Sequence, residues 1–466
     1  ALALAALAAL PARGALPPST AQALQQAKVP LARVALWSGP ADGGPATWQH
    51  NAGTPMNPAS VMKALTTFAA LDTLGPAYTW TTEAYVRGRL EAGVLDGDLI
   101  LRGNGDPSLT WDRLEQLLRD LRSRGLRDIR GDLLIDRSLF GNLPPAAADF
   151  DDQPLRAYNA TPDALLVNFK AITIRLTPLP PTSAQTPLQA VAITPFAPLA
   201  LYNTARSTSG PCADWRGGLG VNLLPDGPGL RLELSGQLPA SCGERLLNLT
   251  VQDGTRMAAG VFRDLWQGLG GSWHGQAREG SAGPDATLLA TWSSPPLADV
   301  VRDINKWSNN VMARQLYLSL GRSATAPVSE AASERFLHDW LARQPFALNG
   351  LVLENGAGLS RNERISADGL AALLRAAWHS PRMPEFLASL PVAGIDGTAR
   401  RRFANQPVAA RAYLKTGSLA DVMSVAGYVL DAQNHWQVVV ILINDAHPER
   451  AEGAVIDAIN AVWRGR

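Results

Sequence analysis

Residues 57–71 constrain the fold of this chain most, because they combine a helix start with an apolar run of helix length. Asn57 is a favourable N-cap, and Pro58 fits the first helical position. Gly75 is a natural helix stop. The sequence therefore predicts a helix that opens at Pro58 and ends before Gly75.

Ser60 and Lys63 fall in the first turn of this predicted helix. Residues three positions apart share a helix face, so the lysine amine can meet the serine hydroxyl. The unpaired N–H groups and the dipole at a helix N-terminus favour developing negative charge. The pair can therefore serve as an acyl-transfer nucleophile with its base, although the pattern alone also fits a surface lysine on an amphipathic helix.

Lysine is rare in this chain. Only five of the 42 basic residues are lysines, so arginine nearly always stands where positive charge alone is wanted. Arginine cannot give up its proton in a protein, whereas a buried lysine can become a neutral base. Lys63, Lys306 and Lys415 lie in or beside the motifs described here, which favours a chemical role for lysine in this sequence.

Two further motifs follow downstream. Ser308 and Asn310 form a Ser-x-Asn pattern at a helix-like start, and residues 415–418 read Lys-Thr-Gly-Ser in a strand-like run. Taken alone, the first motif also fits a helix cap and the second a strand end with a turn. Lys306 fits either a further ammonium of the site or a solvated side chain. All three motifs occur together in this order by chance far less often than any one of them occurs alone.

Composition limits the class of protein. A chain of 466 residues, 46% hydrophobic and 18% charged, indicates a globular protein of more than one domain. The net charge of +1 and the lack of a basic stripe argue against a nucleic-acid partner. The six histidines stand in no triad or metal spacing, and no Gly-x-Ser-x-Gly elbow occurs. We therefore expect neither a metal nor another cofactor.

The N-terminal residues indicate export. The first ten residues form an apolar run too short to span a bilayer, and small residues follow at Ala12 and Gly14. We interpret residues 1–15 as the remnant of a secretory signal, with an ordinary N-terminal helix as the alternative. No later run is long enough to span a membrane. Cys212 and Cys242 can pair in an oxidising compartment or remain two buried thiols.

Helix and strand signals lie at both ends of the chain. Residues 16–80 combine a helix, a hairpin and the Ser60 helix, whereas residues 290–466 give helices followed by a β-β-α ending. The pattern is continuously helical over 296–320. We predict an α/β (α+β) fold in which these two ends form one domain, an antiparallel sheet flanked by helices, interrupted by a long insert. Residues 177–247 are rich in Pro, Gly and short β runs and predict a β-rich module within the insert.

The motif residues suggest roles in acyl transfer. Lys63 needs a pKa lowered from about 10.4, by burial and by a second ammonium such as Lys415. Ser308 can relay a proton between Lys63 and a departing amine. Asn310 can hydrogen-bond both Lys63 and a substrate carbonyl.

The strand motif suggests how a substrate would lie. Lys415, Thr416 and Ser418 form a cationic, hydroxyl-bearing patch suited to a terminal carboxylate. The backbone N–H groups of Ser60 and Ser418 are candidate oxyanion donors. Gly417 has no side chain, so an extended substrate can lie against this strand as an added one.

With these motifs, the chain resembles the class C low-molecular-mass penicillin-binding proteins, the D-alanyl-D-alanine carboxypeptidase/endopeptidase family of the serine β-lactamase-like superfamily. The long spacing from Ser60 to Ser308 is typical of that family, in which two extra domains, one nested in the other, interrupt a transpeptidase-like domain. The resemblance extends over almost the whole chain. The segments of this chain that resemble the family are residues 57–63, 97–107, 131–140, 165–168, 306–310, 354–361, 393–398 and 415–418.

The resemblance implies domain bounds and an activity. An inserted domain would comprise residues 81–176 and 248–289, with the nested β-rich domain at 177–247. Ser60 would be acylated with Lys63 as its base, the Ser-x-Asn pair would assist, and the Lys-Thr-Gly-Ser strand would bind the peptide. The implied enzyme is a periplasmic serine D-alanyl-D-alanine carboxypeptidase and endopeptidase, soluble or loosely membrane-associated.

The implied partners are peptidoglycan peptides ending in D-Ala-D-Ala, with β-lactams as covalent inhibitors. A serine β-lactamase or esterase, and a catalytically silent wall-binding scaffold, are the alternative functions. The sequence leaves the oligomeric state open. It also leaves the insert residue that reads the substrate unassigned, with Asp151, Asp152 and Tyr158 marking its neighbourhood.

One segment departs from the family pattern. Residues 355–358 read Asn-Gly-Ala-Gly where an Asp-Gly-Ser-Gly-like form is expected. We expect this segment to lie outside the acylation centre, so that the departure affects substrate detail rather than chemistry.

Overall fold

The computed structural model describes residues 16–141, 143, 148–183, 185–323 and 326–465. The predicted signal remnant at residues 1–15 therefore lies outside the described residues. Across the part of the chain that is described, no helix combines the length and the apolar character needed to cross a membrane.

The described residues form a mixed α/β structure, as the sequence predicts. The α-helices are α1 (Pro18–Gln26), α2 (Lys63–Leu74), α3 (Trp111–Ser123), α4 (Ala148–Asp151), α5 (Gly254–Gly268), α6 (Leu297–Trp307), α7 (Asn310–Leu320), α8 (Glu330–Ala342), α9 (Ala367–His379), α10 (Met383–Ser389) and α11 (Glu452–Arg464). The strands are β1 (Val34–Pro40), β2 (Trp48–His50), β3 (Thr81–Glu91), β4 (Val94–Gly103), β5 (Asp128–Ile129), β6 (Leu133–Asp136), β7 (Ala171–Pro178), β8 (Leu188–Ala192), β9 (Leu199–Asn203), β10 (Arg206–Thr208), β11 (Leu219–Asp226), β12 (Gly229–Pro239), β13 (Arg245–Thr250), β14 (Ser272–Trp273), β15 (Ala277–Glu279), β16 (Thr287–Ser293), β17 (Ala412–Leu419), β18 (Val422–Leu430) and β19 (Trp436–Asn444).

The chain divides into two compact units. The described residues of the first, here called the outer unit, lie within Ala1–Ala77, Leu297–Leu320 and Glu330–Arg466. Those of the second, the inserted unit, lie within Tyr78–Pro296 and Gly321–Ser329. All the motif residues singled out for chemistry belong to the outer unit.

The outer unit is built on a five-stranded antiparallel sheet in the order β17-β18-β19-β1-β2. The central strands β18 and β19 are almost continuously apolar because both of their faces are buried. On one face, Leu24 of α1 and Ile459 of α11 share a core with Val439. On the other face, Tyr428 of β18 donates a hydrogen bond at 2.7 Å to the Leu374 carbonyl of α9. The predicted antiparallel sheet flanked by helices is confirmed.

Alternate residues of β17 point to opposite faces of this sheet. Ala412 and Leu414 belong to the core shared with α1 and α11. Tyr413, Lys415 and Gly417 therefore point to the face that carries α9. The lysine and the glycine of the strand motif are thus on the same side of the sheet.

The inserted unit has a hydrophobic core of its own. Its largest sheet runs β14-β5-β4-β3-β16, with β6 beside β4 and β15 beside β6, and α3 and α5 pack against it. Two smaller sheets, β13-β7-β8 and β10-β12-β11 with β9 beside β12, lie within residues 171–250. A disulfide joins Cys212 to Cys242, so the paired form is the one present.

Two motif serines lie where the predicted helices are interrupted. Ser60 lies in a 3₁₀ turn, Ala59–Met62, and α2 starts only at Lys63. The predicted continuous helix over 296–320 is broken into α6 and α7 at Ser308. The cause is a left-handed residue at each break, since Ala59 has a φ of 46° and Ser308 a φ of 56°. The predicted stop of α2 at Gly75 is confirmed.

Candidate active site

The turn that carries Ser60 is held from two sides. The Asn57 Oδ1 accepts a hydrogen bond from the Ala59 N–H at 2.9 Å, and the N-cap position of the turn falls on Pro58, one residue after the predicted cap. The Ser424 hydroxyl donates to the Pro58 carbonyl at 2.6 Å and ties the turn to β18. The backbone that leads into Ser60 is therefore fixed by buried hydrogen bonds.

Two glycines permit a close approach to this turn. A Cβ atom at Gly358 would stand 1.8 Å from the Ala59 carbonyl oxygen and 2.8 Å from the Ser60 nitrogen. A Cβ atom at Gly417 would stand 2.7 Å from the Pro58 carbonyl oxygen and 3.0 Å from the same nitrogen. From the sequence, the space left by the missing side chain of Gly417 was expected to hold a substrate. In the structure, the serine turn occupies that space.

Lys63 is fully buried and its amine lies beside the Ser60 hydroxyl. The Lys63 Nζ is 2.9 Å from the Ser60 Oγ and 2.6 Å from the Asn310 Oδ1. It also bonds to the backbone carbonyl of Ala357. The structure therefore brings the first and second motifs together around one amine.

Burial also determines the charge of the two motif lysines. Desolvation, followed by the nearby charge of Lys415, holds the pKa of Lys63 well below its ordinary value, and Glu363 opposes this shift. Desolvation alone lowers the pKa of Lys415 to about 7. A neutral Lys63 has a lone pair that can accept the Ser60 proton.

Residues 355–358 lie in this centre, and the expectation that they lie outside it is wrong. The Ala357 carbonyl accepts a hydrogen bond from Lys63. The fully buried Glu363 carboxylate fixes the segment by accepting the backbone N–H groups of residues 354, 355 and 356 at 3.1, 3.0 and 3.2 Å. The segment contacts Lys63 through a backbone carbonyl. Its departure from the family pattern concerns side chains, so the sequence did not reveal this contact.

Lys415 joins the third motif to the second. Its Nζ donates to the Ser308 Oγ at 3.0 Å and to the Thr416 carbonyl at 2.7 Å. Each buried lysine is therefore paired with a motif serine, Lys63 with Ser60 and Lys415 with Ser308. The relay role of Ser308 stays a prediction.

Lys306 is buried and forms an ion pair, so the solvated alternative is wrong. Its Nζ lies 2.7 Å from the Asp396 Oδ2. The other carboxylate oxygen of Asp396 accepts the Val392 N–H at 2.7 Å. The charge of Lys306 is balanced within this pair, which ties the end of α6 to the segment before β17.

β17 is an edge strand of the sheet. The Leu414 N–H and the Ala412 carbonyl bond to residues 391–393 on the side away from β18. By strand alternation, the backbone groups of Thr416 and Ser418 point to that same side. The Ser418 side chain is exposed. The end of β17 therefore presents backbone groups in the direction in which an added strand would pair.

Ala357, Glu363 and Thr398 belong to this centre but were not assigned from the sequence. The Thr416 hydroxyl donates to the Thr398 hydroxyl at 2.7 Å. Ala357 and Thr398 lie in segments that carried the family resemblance, which was the available signal. Glu363 gave none, because a single loop glutamate cannot be distinguished from a surface residue by type alone.

The residues suggested as substrate readers lie in the inserted unit. The Tyr158 hydroxyl donates to the Asp151 carboxylate at 2.5 Å, and the Asn159 amide donates to the same group at 2.8 Å. Partial burial, and then the hydrogen bond to Asp151, raise the pKa of Tyr158 to about 12. Asp152 follows with a left-handed φ of 55°. Their part in substrate recognition stays a prediction.

The outer unit defines a class of protein. An antiparallel sheet carries the Ser-x-x-Lys turn against one face and Lys-Thr-Gly on its edge strand, with Ser-x-Asn between them. This arrangement is that of the penicillin-binding and β-lactamase-like proteins.

The chain belongs to the D-Ala-D-Ala carboxypeptidase 3 (S13) family, whose model matches residues 18–464. It is 27% identical to the D-alanyl-D-alanine carboxypeptidase DacB of Haemophilus influenzae, over 85% of this chain and 82% of that protein. It is 28% identical to a D-alanyl-D-alanine carboxypeptidase of an Actinomadura species, over 89% of this chain and 78% of that protein. The crystal structure of penicillin binding protein 4 from Haemophilus influenzae shares the fold, with a TM-score of 0.77 and 23% identity over 96% of this chain and 100% of that one. The chain is accordingly a D-Ala-D-Ala carboxypeptidase, a hydrolase, and the family resemblance is confirmed.

Proposed function

We propose that this chain removes the terminal D-Ala of peptidoglycan stem peptides through an acyl-enzyme on Ser60, and that it opens D-Ala cross-links in the same way. The observation that carries the proposal is the fully buried Lys63 amine 2.9 Å from the Ser60 Oγ. An amine kept neutral by burial accepts the hydroxyl proton as the oxygen attacks.

Acylation forms one bond and breaks another. The Ser60 Oγ bonds to the carbonyl carbon of the penultimate D-Ala while Lys63 takes its proton. The N–H groups of Ser60 and Ser418 hold the oxyanion. The peptide bond then breaks, and the leaving D-Ala amine receives a proton through Ser308. Water hydrolyses the ester with Lys63 as base, which releases the shortened peptide and restores the serine.

The strand motif would hold the substrate. Its terminal carboxylate would lie near Lys415, Thr416 and Ser418, and its backbone would pair with the edge of β17. A bound carboxylate favours the charged form of Lys415, whose pKa in the free protein is about 7. Asn310, held by Lys63, would orient the carbonyl that precedes the scissile bond.

β-Lactams are the proposed covalent inhibitors. Such a molecule offers a reactive carbonyl and a carboxylate at a spacing similar to that in the peptide, so the same groups would direct it to Ser60. A second solved structure of the Haemophilus influenzae protein holds a β-lactam, which supports this assignment.

The location and the three-part division are also proposals. The Cys212–Cys242 disulfide suits an oxidising compartment such as the periplasm, where the proposed substrate lies. The protein there would be soluble or loosely membrane-associated. Strands β8 to β12 lie within the proposed nested domain at 177–247, which supports its β-rich character.

The test is release of the terminal alanine from a synthetic peptide ending in D-Ala-D-Ala, measured against release of the terminal alanine from the same peptide ending in D-Ala-L-Ala. We expect release only from the first, and none from either with Ser60→Ala. Equal release by Ser60→Ala would contradict the proposal. Digestion of cross-linked muropeptides by the same two proteins tests the endopeptidase activity.

A further inference from the structure

A second cleft lies on the outer unit, apart from the residues of the acylation centre. Its volume is about 450 Å³, within the range of small-ligand sites. Its walls include the two half-buried tryptophans of α9 and β19, with four polar side chains around them. The lining residues used below are Trp378, Trp436, Asn434, His435, Gln437 and Asp42. We call this the aromatic cleft.

The two tryptophans form the apolar part of the cleft. The ring centroids of Trp378 and Trp436 are 5.4 Å apart, and their planes are tilted by 47°. Tyr413 continues the aromatic surface, with its ring centroid 5.7 Å from that of Trp436. Partly exposed rings of this kind offer flat faces to C–H groups of a ligand while the rest of each ring stays packed.

One wall of the cleft is fixed by a buried carboxylate. Asp431 accepts the backbone N–H groups of Gln433 and His435 at 2.9 and 2.8 Å, and its other oxygen accepts the Gln437 amide at 2.9 Å. Asn434, with a left-handed φ of 64°, accepts from Arg411 at 3.2 Å through its side-chain oxygen. The carbonyl of Gln437 and the NH2 group of Asn434 are the parts of these amides that a ligand can meet.

A second part of the wall, formed by Pro40 and Asp42, is fixed by Arg375. Its guanidinium donates to the Pro40 carbonyl at 2.9 and 2.7 Å and to the Gly44 carbonyl at 2.9 Å. It also stacks over Trp37, 4.7 Å from the ring centroid. The loop that carries Asp42 is therefore held before any ligand arrives, which lowers the entropy cost of binding.

The chemistry of the cleft disfavours an anionic ligand, since its lining carries the Asp42 carboxylate. Its lining, which lies wholly in described residues, contains no lysine or arginine, so a phosphate or a carboxylate would find no cation there. Aromatic faces suit the C–H face of a pyranose ring. The amides of Asn434 and Gln437 supply a donor and an acceptor for hydroxyl and acetamido groups.

We propose that the aromatic cleft binds the sugar chain of peptidoglycan, an N-acetylated β-1,4-linked glycan. This inference rests on the proposed function, because a D-Ala-D-Ala peptide in the wall is attached to such a chain. The placement supports it: Tyr413, beside the cleft, and Lys415, in the acylation centre, point to the same face of the sheet. Ser418 is five positions from Tyr413, roughly 17 Å along the strand, which an extended peptide of about five residues spans.

The first experiment measures binding alone. Chitotetraose, a peptide-free N-acetylated glycan, is titrated into the full chain by calorimetry and by saturation-transfer NMR. We expect wild-type protein to bind, Trp436→Ala to bind at least about tenfold more weakly, and Trp436→Phe to retain most of the affinity. Trp215→Ala, which removes a half-buried tryptophan from the inserted unit, is the matched control and should bind as wild type.

Three outcomes of this titration would overturn the proposal. They are no binding by wild-type protein, equal binding by Trp436→Ala, and preferential binding of the cationic de-acetylated tetramer. Trp436→Ala must also retain the thermal midpoint and the penicillin acylation of wild type. If it does not, the exposed His435→Ala and Asn434→Gly variants take its place and should weaken binding in the same titration.

The second experiment separates this inference from the proposed function. D-Ala release is compared for a free pentapeptide and for the same peptide attached to a glycan tetramer. We expect Trp436→Ala to raise KM several-fold for the attached peptide only. If wild-type protein releases no D-Ala from the free peptide, the proposed function is wrong. The chitotetraose titration would still show whether the aromatic cleft binds glycan. An unchanged KM for the attached peptide would overturn the role of the cleft in catalysis on the wall.

Discussion

Two buried lysines dominate the chemistry at the scale of single residues. Lys63 and Lys415 are both fully buried, and the charge of Lys415 is among the causes that lower the pKa of Lys63. Two buried ammonium groups that interact in this way repel each other, so the pair favours a state with one neutral amine. Lys63, next to Ser60, is the one whose neutral form acyl transfer requires.

Replacing Lys63 with arginine tests whether the amine must lose its proton. Arginine keeps its charge, so Lys63→Arg should lower the rate of acylation by benzylpenicillin by about a hundredfold to ten-thousandfold. Stopped-flow or gel-based labelling measures this rate. The exposed Lys28 provides the matched control, and Lys28→Arg should acylate as wild type. Near-normal acylation by Lys63→Arg would exclude a neutral base at this position.

The lowered pKa of Lys415 predicts how stability depends on pH. From about pH 7 to 9 this amine loses its proton in the folded chain but keeps it when unfolded, so the unfolded state binds more protons. Stability should therefore rise with pH across this window. In urea denaturation, Lys415 should raise the free energy of unfolding of wild type by on the order of 2 kcal/mol across this window. Lys415→Met should lack this rise, whereas Lys28→Met should keep it. Parallel pH profiles for wild type and Lys415→Met would show that burial does not shift this pKa.

At the scale of elements, the site depends on the close packing of one turn against one strand and one loop. The 3₁₀ turn at Ala59–Met62 fits between β17 and residues 355–358 because Gly417 and Gly358 have no side chains there. The carboxylate of Glu363 holds the loop in place through three backbone N–H groups. The position of Ser60 is therefore set by the backbone packing around it.

A Cβ atom at position 358 should displace Ser60. It would overlap the Ala59 carbonyl, and the φ of 74° at Gly358 disfavours any L side chain. Because a misplacement of about 1 Å costs about a hundredfold in rate, Gly358→Ala should lose at least that much in benzylpenicillin acylation. Gly453→Ala, in α11 with open space around its Cβ, should keep the wild-type rate. Equal rates for the two variants would contradict the packing argument.

The same elements show what the sequence could predict. The proposed roles of Ser60, Lys63 and Lys415 follow from side-chain chemistry, and residue types encode that chemistry directly. The left-handed backbone at Ala59 and Ser308 could not be predicted, because tertiary contacts override the local preference for helix. The Ala357 carbonyl was missed for a related reason, since every residue carries the same backbone group.

At the scale of the whole molecule, the chain places one active centre in a unit assembled from distant parts of the sequence. The outer unit draws on both sides of the inserted unit, and each unit has a core made of its own residues. The spacing between the first two motifs predicted an insertion of this size. The aromatic cleft was not predicted, because Trp378 and Trp436 are far apart in sequence and only the packing of α9 on the sheet brings them together.

The most direct test of the central claim is intact-mass analysis of the full chain after exposure to benzylpenicillin, followed by peptide mapping. The chain contains 26 serines, and we predict one adduct per molecule, on the peptide that contains Ser60. Ser60→Ala should show no adduct while keeping its fold. An adduct on another serine, or one that persists in Ser60→Ala, would contradict the assignment of Ser60 as the nucleophile.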